Sequence, residues 1–181
     1  MKVERTEIAD VLLLEPKVFG DARGFFYESH NRKTFAQATG LDLEFVQDNH
    51  SRSSKNVLRG LHYQLRRPQG KLVRVTAGEV WDVAVDLRRG SKSYGRWTAA
   101  TLSAESRRML WVPAGFAHGF LVLSEHAEVQ YKTTDYYAPE HERTLLWNDP
   151  ALAIAWPLVG EPVLADKDRR GAPLSRAETF D

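Results

Sequence analysis

KLVRVTAGEVWDVAVDL, residues 71–87, is the stretch on which the fold turns. Alternation in its first half, Lys71–Ala77, sets Lys71, Val73, Val75 and Ala77 on one face. The second half, Val80–Leu87, sets Trp81, Val83, Val85 and Leu87 on one face, with Asp82 and Asp86 opposite. Gly78-Glu79 lies between them. Two period-two runs joined by a short turn predict a β-hairpin.

Working outward, further strand-like runs follow at Tyr94–Leu102, Arg108–Val112, His118–Leu123 and Glu128–Thr134. Helix signal is scarce. Asn31–Thr39 has Asn31 as an N-cap and Gly40 as its stop, and a turn of helix is expected from Asp166. Many short strands with regular turns predict an all-β jelly-roll or double-stranded β-helix barrel, whose open mouth is the place for a ligand. No repeat, linker or low-complexity tract divides the 181 residues, so a single domain over 1–181 is expected. A chain of that length buries roughly 70% of its unfolded surface and needs no disulfide or metal staple.

The totals exclude several classes. There is no cysteine, hence no disulfide, thiolate metal site or cysteine nucleophile. No apolar run near the start is long enough for a signal peptide or a membrane span, so a cytoplasmic location and no membrane partner are expected. Net charge is +1 and the arginines come only in short pairs. That argues against a nucleic-acid partner but not against a small phosphate-bearing ligand. GxGxxG, P-loop and GxSxG motifs are absent. No metal site is expected either. The six histidines contain no His-x-His pair, and where a metal-binding barrel of the cupin type carries its second histidine, Gly60-Leu61-His62-Tyr63-Gln64 has glutamine.

Three polar residues stand on runs suited to a barrel wall. His62 lies in VLRGLHYQ (57–64), Lys71 shares a face with Val73 and Val75, and Tyr131 shares one with Ala127 and Val129. A base, a cation and a phenol directed into one barrel suit proton abstraction beside a carbonyl. The cation stabilises the developing enolate, and the phenol supplies a proton from the other side. A histidine base also needs a carboxylate to fix its tautomer. Asp168, in LADKD (164–168), is one candidate.

At these residues the chain resembles the dTDP-4-dehydrorhamnose 3,5-epimerase family, and the likeness runs from Phe19 to about Leu174. The matching segments are FGDARGFFYESHN (19–31), FVQDNHSRS (45–53), VLRGLHYQ (57–64), QGKLVRVTAGEVWDVAVDLRRGS (69–91), WVPAGFAHGF (111–120), YKTTDYYAPEHER (131–143) and WNDP (147–150). The resemblance implies a cupin-type jelly roll, a homodimer, no metal and no cofactor. It implies epimerisation at C3 and C5 of dTDP-4-dehydro-6-deoxy-D-glucose, in dTDP-L-rhamnose biosynthesis. Carried over by position, His62 is the base, Asp168 its dyad partner, Tyr131 the opposite-face acid, and Lys71 the residue beside the sugar carbonyl. Arg23, Glu28, Gln47, Asp48, Asn49, Arg59, His118, Glu142 and Lys167 line the nucleotide-sugar site, and Tyr137 stacks on thymine. LADKD departs from the family's commoner LSEKD but keeps Lys167 and Asp168.

Within that class, a 3-only or 5-only epimerase of a related sugar remains an alternative. Outside it stand a metal-dependent cupin enzyme and a non-catalytic sugar-nucleotide barrel. Phe25 and Phe26 are expected to be packing residues. His30, His50, His126 and His141 are expected to be surface or structural, and the tryptophans core or interface mass. Alternation puts Arg59 and His62 on opposite faces of one strand, whereas the resemblance places both at the ligand. A bulge at Gly60 reconciles the two.

Overall fold

The computed structural model describes residues 1–181. Its regular elements are almost all strands. These are β1 (Lys2–Arg5), β2 (Leu12–Glu15), β3 (Phe19–Asp21), β4 (Gly24–Phe26), β5 (Gln47–Ser54), β6 (Leu58–Gln64) and β7 (Lys71–Ala77), then β8 (Glu79–Asp86), β9 (Trp97–Ser103), β10 (Met109–Val112), β11 (Phe116–Val122), β12 (His126–Thr133) and β13 (Glu142–Thr144). Two short helices complete the chain, α1 (Arg32–Thr39) and α2 (Asp166–Arg169). One sheet runs β1-β2-β10-β7-β12-β5, the other β13-β6-β11-β8-β9, and β3-β4 forms a separate ribbon.

The expected hairpin of residues 71–87 does not form. β7 pairs with β10 and β12, whereas β8 pairs with β9 and β11 in the other sheet. Gly78 is therefore a corner between sheets rather than a hairpin turn. Its φ is +70°, and an added Cβ would lie 2.0 Å from the His126 carbonyl oxygen, so only glycine fits there. The face assignments themselves hold. Val73 and Val75 pack with Val80, Ala84, Phe120, Ala127 and Val129 between the two sheets. Val83, Val85 and Leu87 point the other way, into a second cluster that Leu152, Ala177 and Phe180 help to cover. The Asp82 and Asp86 face of β8 is thus the inner face, and both carboxylates are fully buried.

α1 forms for local reasons. The Asn31 side chain accepts the Thr34 N–H at 3.1 Å, and Gly40, with φ 78°, donates its N–H to the Ala36 carbonyl. The helix sets Phe35 against Leu72, Met109 and Trp111 on the outer face of the six-stranded sheet. Both larger sheets are covered outside, and the end of the space between them stays open. The β3-β4 ribbon projects from the barrel, with Arg107 over the Phe25 ring and Lys17 over that of Phe19. Contrary to expectation, Phe25 and Phe26 are exposed, as is Phe19.

Candidate active site

The open end of the barrel holds a cavity of about 610 Å³ lined by β5, β6, β7, β11, β12 and the segment Val163–Asp168. His62 and His118 enter it from the five-stranded sheet, where they are register partners on β6 and β11. Lys71 and Tyr131 enter from the six-stranded sheet, on neighbouring β7 and β12. The cavity thus has a histidine wall facing a lysine–tyrosine wall.

The register between β6 and β11 slips between His118 and Phe120, so Gly60 and Leu61 together oppose Gly119. This is the anticipated bulge, and it lets Arg59 and His62 line the same cavity. Gly60 has φ +133°, and a Cβ on it would lie 2.6 Å from the Gly119 Cα. Arg59 is held by Nε donating to Ser53 Oγ at 2.9 Å.

His62 Nε2 and Asp168 Oδ1 are 2.6 Å apart, with Asp168 almost wholly buried at the start of α2. Burial lowers the His62 pKa from the ordinary histidine value, and the Asp168 carboxylate only partly offsets it. The imidazole is therefore neutral at neutral pH and free to take a proton. Lys71 is 8% exposed, and its Nζ donates to the His62 carbonyl at 3.3 Å. Burial pushes it down to about 8, against the opposing pull of Asp82 and Glu142. Burial also raises the Tyr131 phenol, which keeps its proton. Base, cation and acid are thus each in the protonation state that enolisation requires.

Around them lies a polar frame. The Gln47 side chain donates to Asn49 Oδ1 at 2.9 Å and accepts the Tyr137 N–H at 2.9 Å. Tyr137 is half exposed at the rim, its hydroxyl 3.3 Å from Glu142 Oε2. Lys167 Nζ donates to both Glu142 oxygens, at 2.9 and 3.1 Å. Gln64, at the position read as a missing metal ligand, has a structural task. It donates to the Arg67 and Tyr136 carbonyls and accepts the Ala138 N–H at 2.9 Å, pinning the loop that carries Tyr137.

Of the fourteen expected site residues, three stand outside the cavity. Asp48 points to the opposite face of β5, where its carboxylate binds Lys132 at 2.7 Å. Arg23 extends from the β3-β4 turn, paired with Asp21, and Glu28 follows the ribbon and accepts from Asn31. Two groups at the site escaped the sequence reading. Asp82 is fully buried beneath His118, bound to its Nε2 at 2.8 Å. The Ser51 hydroxyl lines the cavity, buried and without a protein partner. Asp82 left a signal, a carboxylate between Val80 and Ala84 on one face of a strand whose other face is also apolar. Ser51 left none.

Residues 5–176 match the family model for dTDP-4-dehydrorhamnose 3,5-epimerase. The chain is 62% identical over 180 residues to a protein of that name from Pseudomonas aeruginosa, covering 99% of each. Among solved structures it is similar to dTDP-6-deoxy-D-glucose-3,5-epimerase from Legionella pneumophila in complex with dTDP-4-keto-L-rhamnose. There the TM-score is 0.95 and the identity 51%, over 98% of this chain and 94% of that one. A 3'-monoepimerase from Streptomyces bikiniensis in complex with dTDP-quinovose is more distant, with TM-score 0.89 and 34% identity over 97% and 88% of the two chains.

Proposed function

The chain belongs to the dTDP-4-dehydrorhamnose 3,5-epimerase family, and from that premise we propose how its residues invert C3 and C5 of dTDP-4-dehydro-6-deoxy-D-glucose. It is an isomerase, and its product, dTDP-4-dehydro-L-rhamnose, leads to dTDP-L-rhamnose. The C4 ketone is already present in the substrate, so the protons on both flanking carbons are acidified without any change of oxidation state. His62 removes one of them. The electron pair moves into the C4 oxygen, where the Lys71 ammonium stabilises the enolate. Asp168 fixes the imidazole tautomer and supports the imidazolium. Tyr131 returns a proton to the opposite face, and the carbon is inverted.

The observation that carries this reading is the placement of His62 on one sheet and Lys71 with Tyr131 on the other, around one cavity. Inversion needs base and acid on opposite sides of the sugar plane, and two facing walls supply that. Tyr137 at the rim serves the thymine ring, and Arg59 the diphosphate.

The family resemblance also assigns Arg23 and Glu28 to the ligand, yet a single chain holds them outside its own cavity. The reading that fits both is a homodimer in which the segment Phe19–Glu28 of one protomer reaches the site of its partner. The exposed Phe19, Phe25 and Phe26 give it an apolar surface to bury there.

A second reading, inversion at C3 alone, is favoured by the likeness to the monoepimerase, because one base and one acid serve either carbon. Proton NMR of the substrate with enzyme in D₂O separates the two. Deuterium at both C3 and C5 is expected, and uptake at C3 alone establishes the second reading instead.

A further inference from the structure

Asp82 is costly where it stands. It projects from β8 into the barrel on the face of Val80 and Ala84, with no exposed surface. Its only hydrogen-bonding partner is His118 Nε2, at 2.8 Å from Oδ1, and Oδ2 is buried with none. A carboxylate so placed is destabilising unless other charges offset it. A purely structural strand has no use for it, since valine or threonine fills the same space.

Its surroundings give it a task. With Nε2–H committed to the carboxylate, the ring nitrogen that His118 has left for a ligand is Nδ1, which has no bond within the protein. His118 lines the cavity beside His62. Asp82 is also the leading acidic influence on Lys71. The charged and titratable groups that share the cavity with Lys71 include Glu142 on β13, Lys167 and Asp168 at α2, His62 and His118 on β6 and β11, Arg59 on β6, and Tyr131 on β12, with Asp82 on β8 beneath His118. Glu142 is already paired with Lys167, and Asp168 with the base, His62. Of the two carboxylates that pull Lys71 upward, Asp82 is thus the one whose charge no lysine or arginine neutralises at contact.

We propose that Asp82 is a positioning residue of the epimerase: it turns Nδ1 of His118 toward the sugar and supplies the fixed negative charge that keeps Lys71 cationic. This rests on the reading of Lys71 as the group that stabilises the enolate. Asp82 touches no reacting atom and acts through these two side chains. The site therefore holds two imidazole–carboxylate pairs with different duties. His62–Asp168 moves protons, and His118–Asp82 holds the sugar and the field around it.

The test is the pH profile of kcat/KM for the full-length protein and for Asp82→Asn, with dTDP affinity measured alongside. The asparagine side chain is neutral but close in shape to the aspartate it replaces. The variant's alkaline limb is expected to move about one pH unit lower than the parent's, and turnover to fall on the order of 10- to 100-fold, as loss of a supporting carboxylate commonly does. dTDP affinity is expected to hold, since the nucleotide meets the rim. Asp82→Glu keeps the charge, is informative even where the asparagine variant does not fold, and is expected to leave the limb in place. An unmoved limb in Asp82→Asn, or a shifted one in Asp82→Glu, overturns the proposal. Loss of dTDP binding with the limb unmoved marks Asp82 as structural only, which also overturns it. Lys71→Met separates this from the underlying mechanism. Near-parent turnover there sinks the enolate role of Lys71, whereas a dead Lys71→Met beside an unmoved limb in Asp82→Asn sinks the role of Asp82 alone.

Discussion

Replacing Lys71 by methionine is expected to make the protein more stable while nearly abolishing its activity. The ammonium is 8% exposed. Its pKa lies at about 8 in the fold against 10.5 in its absence. At about 1.36 kcal/mol per pH unit, keeping it protonated at pH 7 costs the folded state about 3 kcal/mol. Methionine follows the same stem without the charge. It gives up the bond to the His62 carbonyl, about 1 kcal/mol net, which leaves a gain of about 2 kcal/mol. The sign with pH follows from the depressed folded pKa. Between about 8 and 10.5 the unfolded chain binds more protons, so the parent's stability rises with pH through that window. The advantage of Lys71→Met is therefore present at pH 7 and gone by about pH 10.5. Urea midpoints at both pH values, at one fixed protein concentration, measure it, and turnover is expected to fall about 10²- to 10³-fold. A methionine variant less stable than the parent at pH 7, or one whose advantage does not change with pH, refutes the reasoning.

Other expectations follow from the same geometry. The profile of kcat/KM against pH should be bell-shaped, with an acid limb below 6.5 from His62 and an alkaline limb near 8 from Lys71; an acid limb above 6.5 contradicts the assignment of His62 as a buried neutral base. Tyr137→Ala should weaken dTDP binding by about 1–3 kcal/mol while Tyr137→Phe largely preserves it, and calorimetry showing no difference removes the stacking role. Mixing Arg23→Ala with His62→Ala protein should restore part of the turnover that each lacks, because an exchanged dimer then contains one intact site. Failure to recover, together with sedimentation of a fully active monomer, rules out the shared site.

How far the sequence goes depends on how local each determinant is. α1 was legible to its ends because Asn31 and Gly40 act within one turn of it. The runs that form β6 to β12 were legible because inner and outer faces alternate, whereas β1, β3, β4, β5 and β13, short or largely polar, were not read as strands. What alternation does not encode is the partner. Gly78-Glu79 marks a turn whether the chain doubles back beside β7 or crosses to the facing sheet, and the crossing places β8 between β9 and β11, far from β7 in hydrogen-bonding terms. Arg59 and His62 posed the opposite case, a conflict of faces that pointed correctly to the Gly60 bulge. Pairing of His62 with Asp168 spans 106 residues, and no spacing rule finds such a contact; only likeness to a family did. Asp82 was seen as the polar side of β8 and its burial was missed, because both faces of that strand are covered. Phe25 and Phe26 were expected to pack, yet both are exposed, with Arg107 lying over the Phe25 ring; hydrophobicity alone does not say what such a residue meets.

The central claim is that base and acid sit on opposite walls and act on opposite faces of one carbon. The most direct test is proton NMR of the 4-keto sugar nucleotide in D₂O with His62→Ala and with Tyr131→Phe. His62→Ala is expected to lose both deuterium uptake and inversion. Tyr131→Phe keeps the base, so it should wash deuterium into the substrate while inverting it about 10²- to 10⁴-fold more slowly than the parent. Exchange at near-parent rate in His62→Ala, or normal inversion in Tyr131→Phe, contradicts the account.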